Sequence, residues 1–204
     1  MAHPLNAATC IRQSSESRPQ LRFTLTDTRE AHLGQRNGCR LEGMECVTYR
    51  PIGVVRSPFK TPQDMPIQPV AAEGVEGRID LLSEFSEGLQ DLEGFSHVVL
   101  IYHLHRSRGF ALLVRPFLDD ELRGVFATRA PRRPNPIGLS VVRLVAIEAT
   151  TLHIRNVDIV DNTPLLDLKP HIPGIDPEGP FTLGWVTGKT WELGAARSDD
   201  RFDN

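Results

Sequence analysis

The chain has 204 residues, with 23 lysines and arginines, 26 aspartates and glutamates, and 40% hydrophobic residues. This length suits one domain, or one domain with a tail, and is enough to bury a core without disulfide or metal staples. The formal charge of −3 excludes a protein that is basic over its whole surface. No apolar run reaches the length of about 18 residues that spans a membrane, so no membrane partner is expected.

Residues 1–48 differ in composition from the rest of the chain. They are rich in Ser, Thr, Arg, Asn and Gln without a sustained period, which predicts a poorly ordered or loosely docked extension. This extension holds all three cysteines, Cys10, Cys39 and Cys46. Their spacing fits no CxxC zinc motif, and their odd number gives no disulfide framework. We therefore expect a reducing, cytoplasmic environment and no bound metal.

Beyond this extension the pattern is that of short strands joined by turns rich in proline and glycine. One helix is predicted in 83–94, where Phe85, Leu89 and Leu92 recur at helical spacing. The apolar run 97–105 is typical of a strand that is buried on both faces. In chain order, the predicted strands are 50–57, 75–82, 97–105, 124–129, 137–148, 151–160, 165–170 and 181–188.

This order of elements predicts a mainly β fold, a single-sheet β-barrel over 49–190 with one or two short helices. Strands do not alternate with long helices, and no GxGxxG fingerprint follows a strand, so no Rossmann domain is expected. The segments 137–148 and 151–160 flank a short turn and are predicted to pair as a hairpin. The acidic tail, 191–204, is expected to fray.

The near-neutral charge of the chain conceals a basic segment. Between Arg106 and Arg143 there are eight arginines, three acidic residues and no lysine, so this segment carries +5 and the remainder −8. The planar guanidinium of arginine suits paired hydrogen bonds to phosphate or carboxylate. The alternative is a solvated face held together by salt bridges.

The stretch 129–140, with the sequence RAPRRPNPIGLS, is predicted to be a rigid binding segment. Two prolines flank Asn135 and disfavour helix, so the chain presents Arg129, Arg132 and Arg133 with little backbone entropy left to lose. The alternative is an ordinary loop that leads into a strand.

A second motif, 158–176, places a turn signal beside three carboxylates. The tetrapeptide DNTP at 161–164 predicts a turn whose main-chain amides are free to cradle a ligand. Asp158, Asp161 and Asp167 are candidates to act as bases or to neutralise a cation. A plain β-turn between hairpin strands is the alternative.

A pair of histidines, His103 and His105, shares one face of a predicted strand. Such a pair can bind a transition metal, but no third ligand is spaced nearby to complete the site, so core or pocket histidines are favoured. Arg106 follows directly and is placed to hold an anionic ligand beside His105.

Four blocks of the sequence together resemble one family. PIGVVRSPF, EGFSHVVLIYHLHR, GVFATRAPRRPNPIGLS and DNTPLLDLKPHIP occur in this order and are similar to the TsaA-like, or TrmO, family of β-barrel tRNA methyltransferases. The resemblance runs from about Arg50 to Asp176. It implies a homodimer with the cofactor near the subunit interface. It also implies that S-adenosylmethionine is used to methylate the exocyclic nitrogen of threonylcarbamoyl-adenosine, next to the anticodon of tRNA.

The resemblance also implies site residues. Asn162 stands where glycine is usual in the family, and the turn is expected to survive because asparagine tolerates the left-handed region. Candidates for a catalytic group are Asp161, Asp167 and Asn135. Contacts with tRNA are expected at Arg132, Arg133, Asn135 and Lys169. Contacts with the cofactor are expected at Pro66, Ile67, Gln68, His105, Arg106, Arg129, Leu139, Asp161, Asn162, Thr163 and Pro164.

Two other functions fit parts of the sequence. One is a non-catalytic barrel that binds an adenine nucleotide or RNA through the same motifs. The other is a metal-dependent phosphoesterase that uses His103 and His105 as ligands. Binding of S-adenosylmethionine and a stoichiometric metal are the observations that would separate these readings.

Overall fold

The computed structural model of the chain describes residues 47–63, 65–175 and 182–202. Most of the extension predicted over 1–48, with all three cysteines, lies outside these residues. Within the described ranges, no helix is long and apolar enough to cross a membrane. These residues form a closed β-barrel, which confirms the predicted fold class.

Eight strands form in the described residues, six in the barrel and two in a small separate sheet. The separate sheet pairs two short strands that lie between the third and the next barrel strand in sequence. In chain order, the strands are β1 (Gly53–Arg56), β2 (Glu76–Leu81), β3 (His97–His103), β4 (Leu113–Val114), β5 (Arg123–Gly124), β6 (Ile137–Glu148), β7 (Thr151–Arg155) and β8 (Thr163–Pro170).

Every pairing in the barrel is antiparallel, in the order β1-β2-β7-β6-β3-β8, and β8 returns to β1 to close the ring. Closure leaves no unpaired edge strand in the barrel. The predicted hairpin between β6 and β7 is confirmed. Glu148 pairs with Thr151 across a two-residue turn in which Ala149 has a φ of 53°.

The strand β6 pairs with two neighbours along different halves of its length. Its first half pairs with β3 and its second half with β7, and the register shifts between Leu144 and Ala146. A second shift lies between Ile101 and Tyr102, where β3 meets β8. Such irregularities add local twist and bend, which help a sheet of few strands to close on itself.

The side chains that point into the barrel form its core. Along β3, Val98, Leu100 and Tyr102 are buried, whereas Val99 and Ile101 on the opposite face are half-buried. The prediction that this strand is buried on both faces is therefore wrong. A closed single sheet has one interior, and alternate side chains of each strand point away from it. Further core residues from the other barrel strands include Val55, Ile79, Val142, Leu152 and Leu165.

The predicted helix forms as two 3-10 segments, Ser83–Leu89 and Leu92–Gly94. Asp91 precedes the second segment with a φ of 65°, in the left-handed region, and so interrupts any continuous helix. Leu89 and Leu92 are nevertheless buried in the barrel core. The apolar spacing therefore marked true core contacts, but the helix type was wrong.

Two predicted strands are wrong. Of the segment 124–129, only the first residue belongs to a strand, and Val125–Ala127 forms a 3-10 helix. In 181–188, Gly184–Val186 is also a 3-10 helix, and its glycine has a φ of 55° that does not occur in a regular strand. In both cases apolar side chains line a cavity instead of a sheet.

The C-terminal segment, residues 182–202, is anchored to the barrel domain. Arg197 forms a β-bridge with Pro66, and the Ser198 amide donates to the Met65 carbonyl at 3.0 Å. Arg201 Nη1 donates to the Pro116 carbonyl at 2.7 Å. The expectation that this tail frays is therefore wrong for its described residues.

Candidate active site

A cavity of about 800 Å³ opens at one end of the barrel. Residues from the end of β3, the start of β6 and the loop between β7 and β8 form its floor. Its sides come from the 62–68 loop, the 125–133 segment and the C-terminal segment. Its volume lies within the range of roughly 300–1,000 Å³ that is usual for small-molecule sites.

Most residues that the resemblance assigned to the cofactor meet at this cavity. They come from four separate segments of the chain, and the fold brings them to one place. The predicted cofactor residues that line the cavity are Pro66, Ile67, Gln68, His105, Arg106, Arg129, Leu139 and Thr163.

Arg129 joins two sides of the cavity. Its Nη1 donates to the Gln68 side-chain oxygen at 3.0 Å, so the proline-rich loop and the arginine segment approach each other there. Both side chains line the cavity. This contact presents a guanidinium and an amide together at the cavity wall, and both groups can bind a polar ligand.

Arg133 holds the arginine segment in shape. Its Nη1 donates to the carbonyl oxygens of Val125 at 3.0 Å and Thr128 at 2.9 Å, and its guanidinium lies 5.8 Å from the centre of the Phe126 ring. A guanidinium used in this way connects the main-chain carbonyls of the turn to the segment that follows it. The structure therefore gives Arg133, predicted to contact tRNA, a role in positioning the cavity wall.

His105 lies two residues after the end of β3 and contacts Thr163, the first residue of β8. The Thr163 hydroxyl donates to the Val160 carbonyl at 2.6 Å, so the 3.2 Å contact between its Oγ1 and His105 Nδ1 needs a proton on Nδ1. Burial lowers the pKa of His105, and the charge of Arg106 lowers it further. His105 is therefore a neutral ring near pH 7, with Nε2 as an acceptor.

Asp161 does not line the cavity. Its carboxylate accepts hydrogen bonds from the Ser57 amide at 3.1 Å, Lys60 Nζ at 2.7 Å and Asn162 Nδ2 at 2.9 Å. Burial alone would raise its pKa, but Lys60 and these hydrogen bonds hold the pKa of Asp161 below its ordinary value. Asp161 thus fastens the loop after β1 to the turn before β8.

Asn162 occupies the left-handed region with a φ of 64°, which confirms that the DNTP turn forms with asparagine in place of glycine. Pro164 pairs with Val54 of β1 as part of the barrel. The structure places these two predicted cofactor residues beside the cavity wall but not on it.

Four other predicted residues lie away from the cavity. Asp167 and Lys169 form a salt bridge of 2.5 Å on β8, opposite the half-buried face of β3. Asn135 is exposed, and its carbonyl accepts a hydrogen bond from the Ile137 amide. Arg132 is half-buried, and its Nε has no hydrogen-bond partner within the described residues.

A buried polar chain ends at the cavity floor and was not predicted as a unit. Ser140 donates to Asp158 Oδ1 at 2.7 Å, and the Tyr102 hydroxyl lies 3.0 Å from Ser140 Oγ. Because Ser140 has one hydrogen and uses it for Asp158, Tyr102 must be the donor of the second bond. Burial raises the pKa of Asp158 to about 6, although Ser140 and the charge of Arg129 act in the opposite direction.

The sequence contained a signal for this chain. Ser140 and Tyr102 occupy inward-facing positions on adjacent strands whose other inward residues are Val and Leu. A Cβ on Gly138 would lie 2.2 Å from the Tyr102 ring, so glycine is needed for the ring to fit beside β6. Polar residues at the apolar positions of two paired strands are a readable mark of a buried site.

The C-terminal segment contributes cavity residues that sequence reasoning missed. Trp185 Nε1 donates to the Ala127 carbonyl at 2.7 Å, and Lys189 Nζ donates to the Leu118 carbonyl at 3.0 Å. The lining residues of this segment are Trp185, Val186, Leu193, Ser198, Asp199 and Phe202. These contacts join positions about sixty residues apart or more, and no local pattern reveals them.

A metal centre finds no support in the residues that the structure describes. In these residues no three His, Cys, Asp or Glu side chains come together as ligands of one ion. His103 is exposed at the end of β3, while His105 lines the cavity. The two histidines of the phosphoesterase hypothesis therefore have different surroundings.

Comparison with known proteins agrees with this fold. A family model described as the tRNA-methyltransferase O N-terminal domain matches residues 54–177. This chain belongs to that family. It is 54% identical over 156 residues, covering 76% of the chain and 85% of the relative, to a probable S-adenosyl-L-methionine-binding protein of Pyrococcus abyssi.

Two relatives of the TrmO family carry more specific names. A tRNA (adenine(37)-N6)-methyltransferase of Escherichia coli is 36% identical over 140 residues, which are 64% of this chain and 60% of the relative. The crystal structure of TrmO from Pseudomonas aeruginosa has a TM-score of 0.58 and 38% identity, and the match covers 69% of this chain and 62% of that one. The chain thus spans under two thirds of these two relatives.

Family membership confirms the resemblance found in the sequence. TrmO proteins form a family of S-adenosylmethionine-dependent tRNA methyltransferases, and S-adenosylmethionine is the cofactor of the family. The family model covers the barrel strands and the turn at 161–164 but ends before the C-terminal wall of the cavity.

Proposed function

We propose that this protein transfers a methyl group from S-adenosylmethionine to the exocyclic nitrogen of threonylcarbamoyl-adenosine, next to the anticodon of tRNA. The observation that carries the proposal is the cavity at the barrel end, where residues from three of the four family blocks meet. The name of the Escherichia coli relative supports adenine N6 as the methylated position. A tRNA substrate also favours a cytoplasmic location.

The cavity suits S-adenosylmethionine in size and in chemistry. Its volume is near the upper end of the usual range, which leaves room for a cofactor and for one base. Phe117 and Leu139 provide apolar surface for an adenine ring, and Gln68 and Arg129 provide hydrogen-bonding groups.

The chemistry needs alignment above all. S-adenosylmethionine supplies, when bound, an electrophilic methyl group attached to a sulfonium sulfur. In-line displacement depends on holding the acceptor nitrogen in one geometry, and a fixed wall achieves this. Arg133 fixes the 125–130 turn through main-chain carbonyls, and Asp161 fixes the DNTP turn through Lys60 and the Ser57 amide. Asp161 therefore positions the site from outside the cavity, whereas Arg133 both holds the turn and lines the cavity.

The exposed arginines near the cavity are suited to the tRNA backbone. Arg106 and Arg129 line the cavity, and Arg108 and Arg115 are exposed on the same basic segment. None of these four takes part in a salt bridge within the described residues. Guanidinium groups outside salt bridges bind phosphates in a salt-dependent way, so the affinity for tRNA should fall as salt rises.

The small sheet carries an apolar patch that suits a second copy of the chain. Leu112, Leu113, Leu122 and Phe126 are each more than half exposed, and they lie on or beside β4 and β5. Phe126 also lines the cavity, so the patch is continuous with the site. Apolar patches of this kind often mark interfaces, and the homodimer implied by the family resemblance would cover it.

The dimer is tested by charging the patch. Leu113→Glu combined with Leu122→Glu should convert a dimer into a monomer in sedimentation and light scattering, because two buried charges without partners oppose association. Ile175→Glu is the matched control, since Ile175 is 72% exposed and lies outside the patch. A wild-type monomer at micromolar concentration would count against the homodimer.

The proposed reaction is tested by analysing tRNA nucleosides. The protein is incubated with tRNA and S-adenosylmethionine labelled in its methyl group, and the nucleosides are separated by mass spectrometry. We expect the label in threonylcarbamoyl-adenosine only. Label in another nucleoside would contradict the proposed substrate, and calorimetry that shows no cofactor binding would contradict the proposal as a whole.

A further inference from the structure

One carboxylate that lines the cavity is not paired with a basic side chain in the described residues. Among the described residues, Asp158 and Asp199 are the carboxylates that line the cavity. Arg201 Nη2 donates to Asp199 Oδ2 at 2.6 Å, and this pairing keeps the pKa of Asp199 below its ordinary value. Asp158 takes part in no salt bridge within the described residues. It is therefore the acidic group of the cavity that is free to change its protonation state.

The three residues that the family resemblance offered as catalytic candidates do not compete with Asp158. Asp161 is occupied by Lys60 and two other donors, and Asp167 is paired with Lys169 outside the cavity. Asn135 has no basic atom in its side chain and does not line the cavity. The cavity thus leaves Asp158 as the carboxylate within reach of a bound base.

The orientation of Asp158 is fixed from behind by the Tyr102–Ser140 pair. Tyr102 donates to Ser140, and Ser140 donates to Asp158 Oδ1 at 2.7 Å. Ser140 and Tyr102 are both almost completely buried. A carboxylate held in this way through one oxygen keeps its second oxygen available as an acceptor toward the cavity.

We propose that Asp158 accepts the proton of the nitrogen that is methylated, an inference that rests on the proposed methyl transfer. The nitrogen forms its new bond to the methyl carbon with its lone pair. The bond between that carbon and the sulfonium sulfur breaks, and its electron pair stays on sulfur. The N–H proton passes to the Asp158 carboxylate, which becomes a neutral acid and later loses the proton to water.

The surroundings of Asp158 suit this task. Ser140, the main-chain amide of Asp158 itself and the charge of Arg129 each favour its ionised form. Tyr102 also lies nearby, and burial raises its own pKa above its ordinary value. With a pKa of about 6, Asp158 is ionised near pH 7.5 and binds a proton more firmly than an ordinary aspartate does. A carboxylate with the usual low pKa would be a weaker acceptor.

The first test compares Asp158→Asn with Asp91→Asn. Both replace one carboxylate by an amide of the same size, and Asp91 lies outside the cavity, at a left-handed position that asparagine tolerates. We expect Asp158→Asn to lower kcat about 10²- to 10⁴-fold and Asp91→Asn to leave it unchanged. Calorimetry of cofactor binding should change less than about threefold in both variants, because a proton acceptor acts in the transition state.

The second test keeps the carboxylate and changes its pKa. It follows the pH at which the methylation rate falls on the acid side, the acid limb of the pH–rate profile. Ser140→Ala deletes a hydrogen bond that stabilises ionised Asp158, so the acid limb, expected near pH 6 in the wild type, should move to higher pH. Carboxyl carbon NMR of the cofactor-free protein should show the same shift in the titration of Asp158. Ser140 does not contact His105, so an acid limb due to His105 would stay in place.

The outcomes separate the two proposals. A wild-type protein that methylates tRNA while Asp158→Asn keeps its rate overturns the role of Asp158 alone. A loss of cofactor affinity in Asp158→Asn with an unchanged kcat overturns it too, since Asp158 would then bind the cofactor. A wild-type protein that binds the cofactor and methylates no tRNA overturns the proposed function, and the inference falls with it. Should Asp158→Asn fail to fold, the shift or constancy of the limb in Ser140→Ala decides.

Discussion

The ionised form of Asp158, which the proposed reaction needs, destabilises the folded protein. Its pKa in the folded protein is about 6, above the usual 3.8, so the folded state holds the proton more tightly than the unfolded chain. The stability that follows is fully present below about pH 4 and is lost as the pH rises through 6. At pH 7.5 the protein keeps a half-buried charge that destabilises it.

Asp158→Asn should therefore stabilise the protein at pH 7.5. Asparagine still accepts the Ser140 hydrogen bond but carries no charge. The gain is at most about 3 kcal/mol, because the pKa of Asp158 is about 6 and that of an ordinary aspartate is 3.8. Thermal unfolding should show a Tm that is higher by several degrees at pH 7.5 and unchanged at pH 4. A Tm that is equal or lower at pH 7.5 would show that burial does not perturb this carboxylate.

The sequence predicted the backbone conformation of a residue where the side-chain type itself determines it. Asn162 was expected to take the left-handed region and does so. Asp161 was predicted to contact the cofactor and Arg133 to contact tRNA. In the structure, Asp161 binds Lys60, and Arg133 binds the main chain of 125–128. A motif identifies a residue that matters, whereas whether it faces a ligand or holds a loop depends on contacts that only the fold creates.

Among the elements, the segment 125–133 depends most on one side chain. Arg133 satisfies carbonyl oxygens of a 3-10 turn, and its planar group reaches two of them from one nitrogen. Lysine keeps the charge but loses the planar geometry and the contact with Phe126.

We expect Arg133→Lys to weaken cofactor binding by about tenfold, which corresponds to about 1.4 kcal/mol. The turn that carries Arg129 would loosen, and calorimetry with S-adenosylmethionine would report the change. Arg143→Lys is the matched control, because Arg143 is exposed on β6 and does not line the cavity. Equal affinity in both variants would mean that the turn holds its shape without Arg133.

Strands in the barrel were predictable, and segments around the cavity were not. β6 spans the predicted residues 137–148, since alternating Val, Leu and Ile residues face one core. The segments 124–129 and 181–188 carry a similar alternation, yet they form 3-10 turns whose apolar side chains line the cavity. Alternation reports burial, and burial against a ligand site looks the same in a sequence as burial in a sheet.

At the scale of the whole molecule, the cavity is completed by a segment that lies beyond the family-matched region. The two tryptophans of the chain, Trp185 and Trp191, both belong to it. Trp185 lines the cavity, whereas Trp191 is 78% exposed and donates to the nearby Gly188 carbonyl. Trp185 therefore reports on the cavity wall, and Trp191 reports on the outer surface of the same segment.

Cofactor binding should quench the fluorescence of Trp185 and leave that of Trp191 unchanged. Trp191→Phe should keep the quenching, and Trp185→Phe should abolish it and raise the Kd for S-adenosylmethionine severalfold, because the indole also bonds to Ala127. Quenching that persists in Trp185→Phe would place the ligand elsewhere. Titration by fluorescence, checked by calorimetry, measures both effects.

Closure of the barrel has a consequence for how the protein folds. β1 and β8 are neighbours in the ring, yet their paired residues Val55 and Thr163 are roughly a hundred residues apart in sequence. Bringing such distant segments together costs loop entropy that nearby hairpins do not face, so this pairing should form late and slowly. Thr163 begins β8 and also contacts His105 at the cavity. The ligand site therefore becomes complete in the same late step, and a bound cofactor would slow unfolding by holding the ring shut.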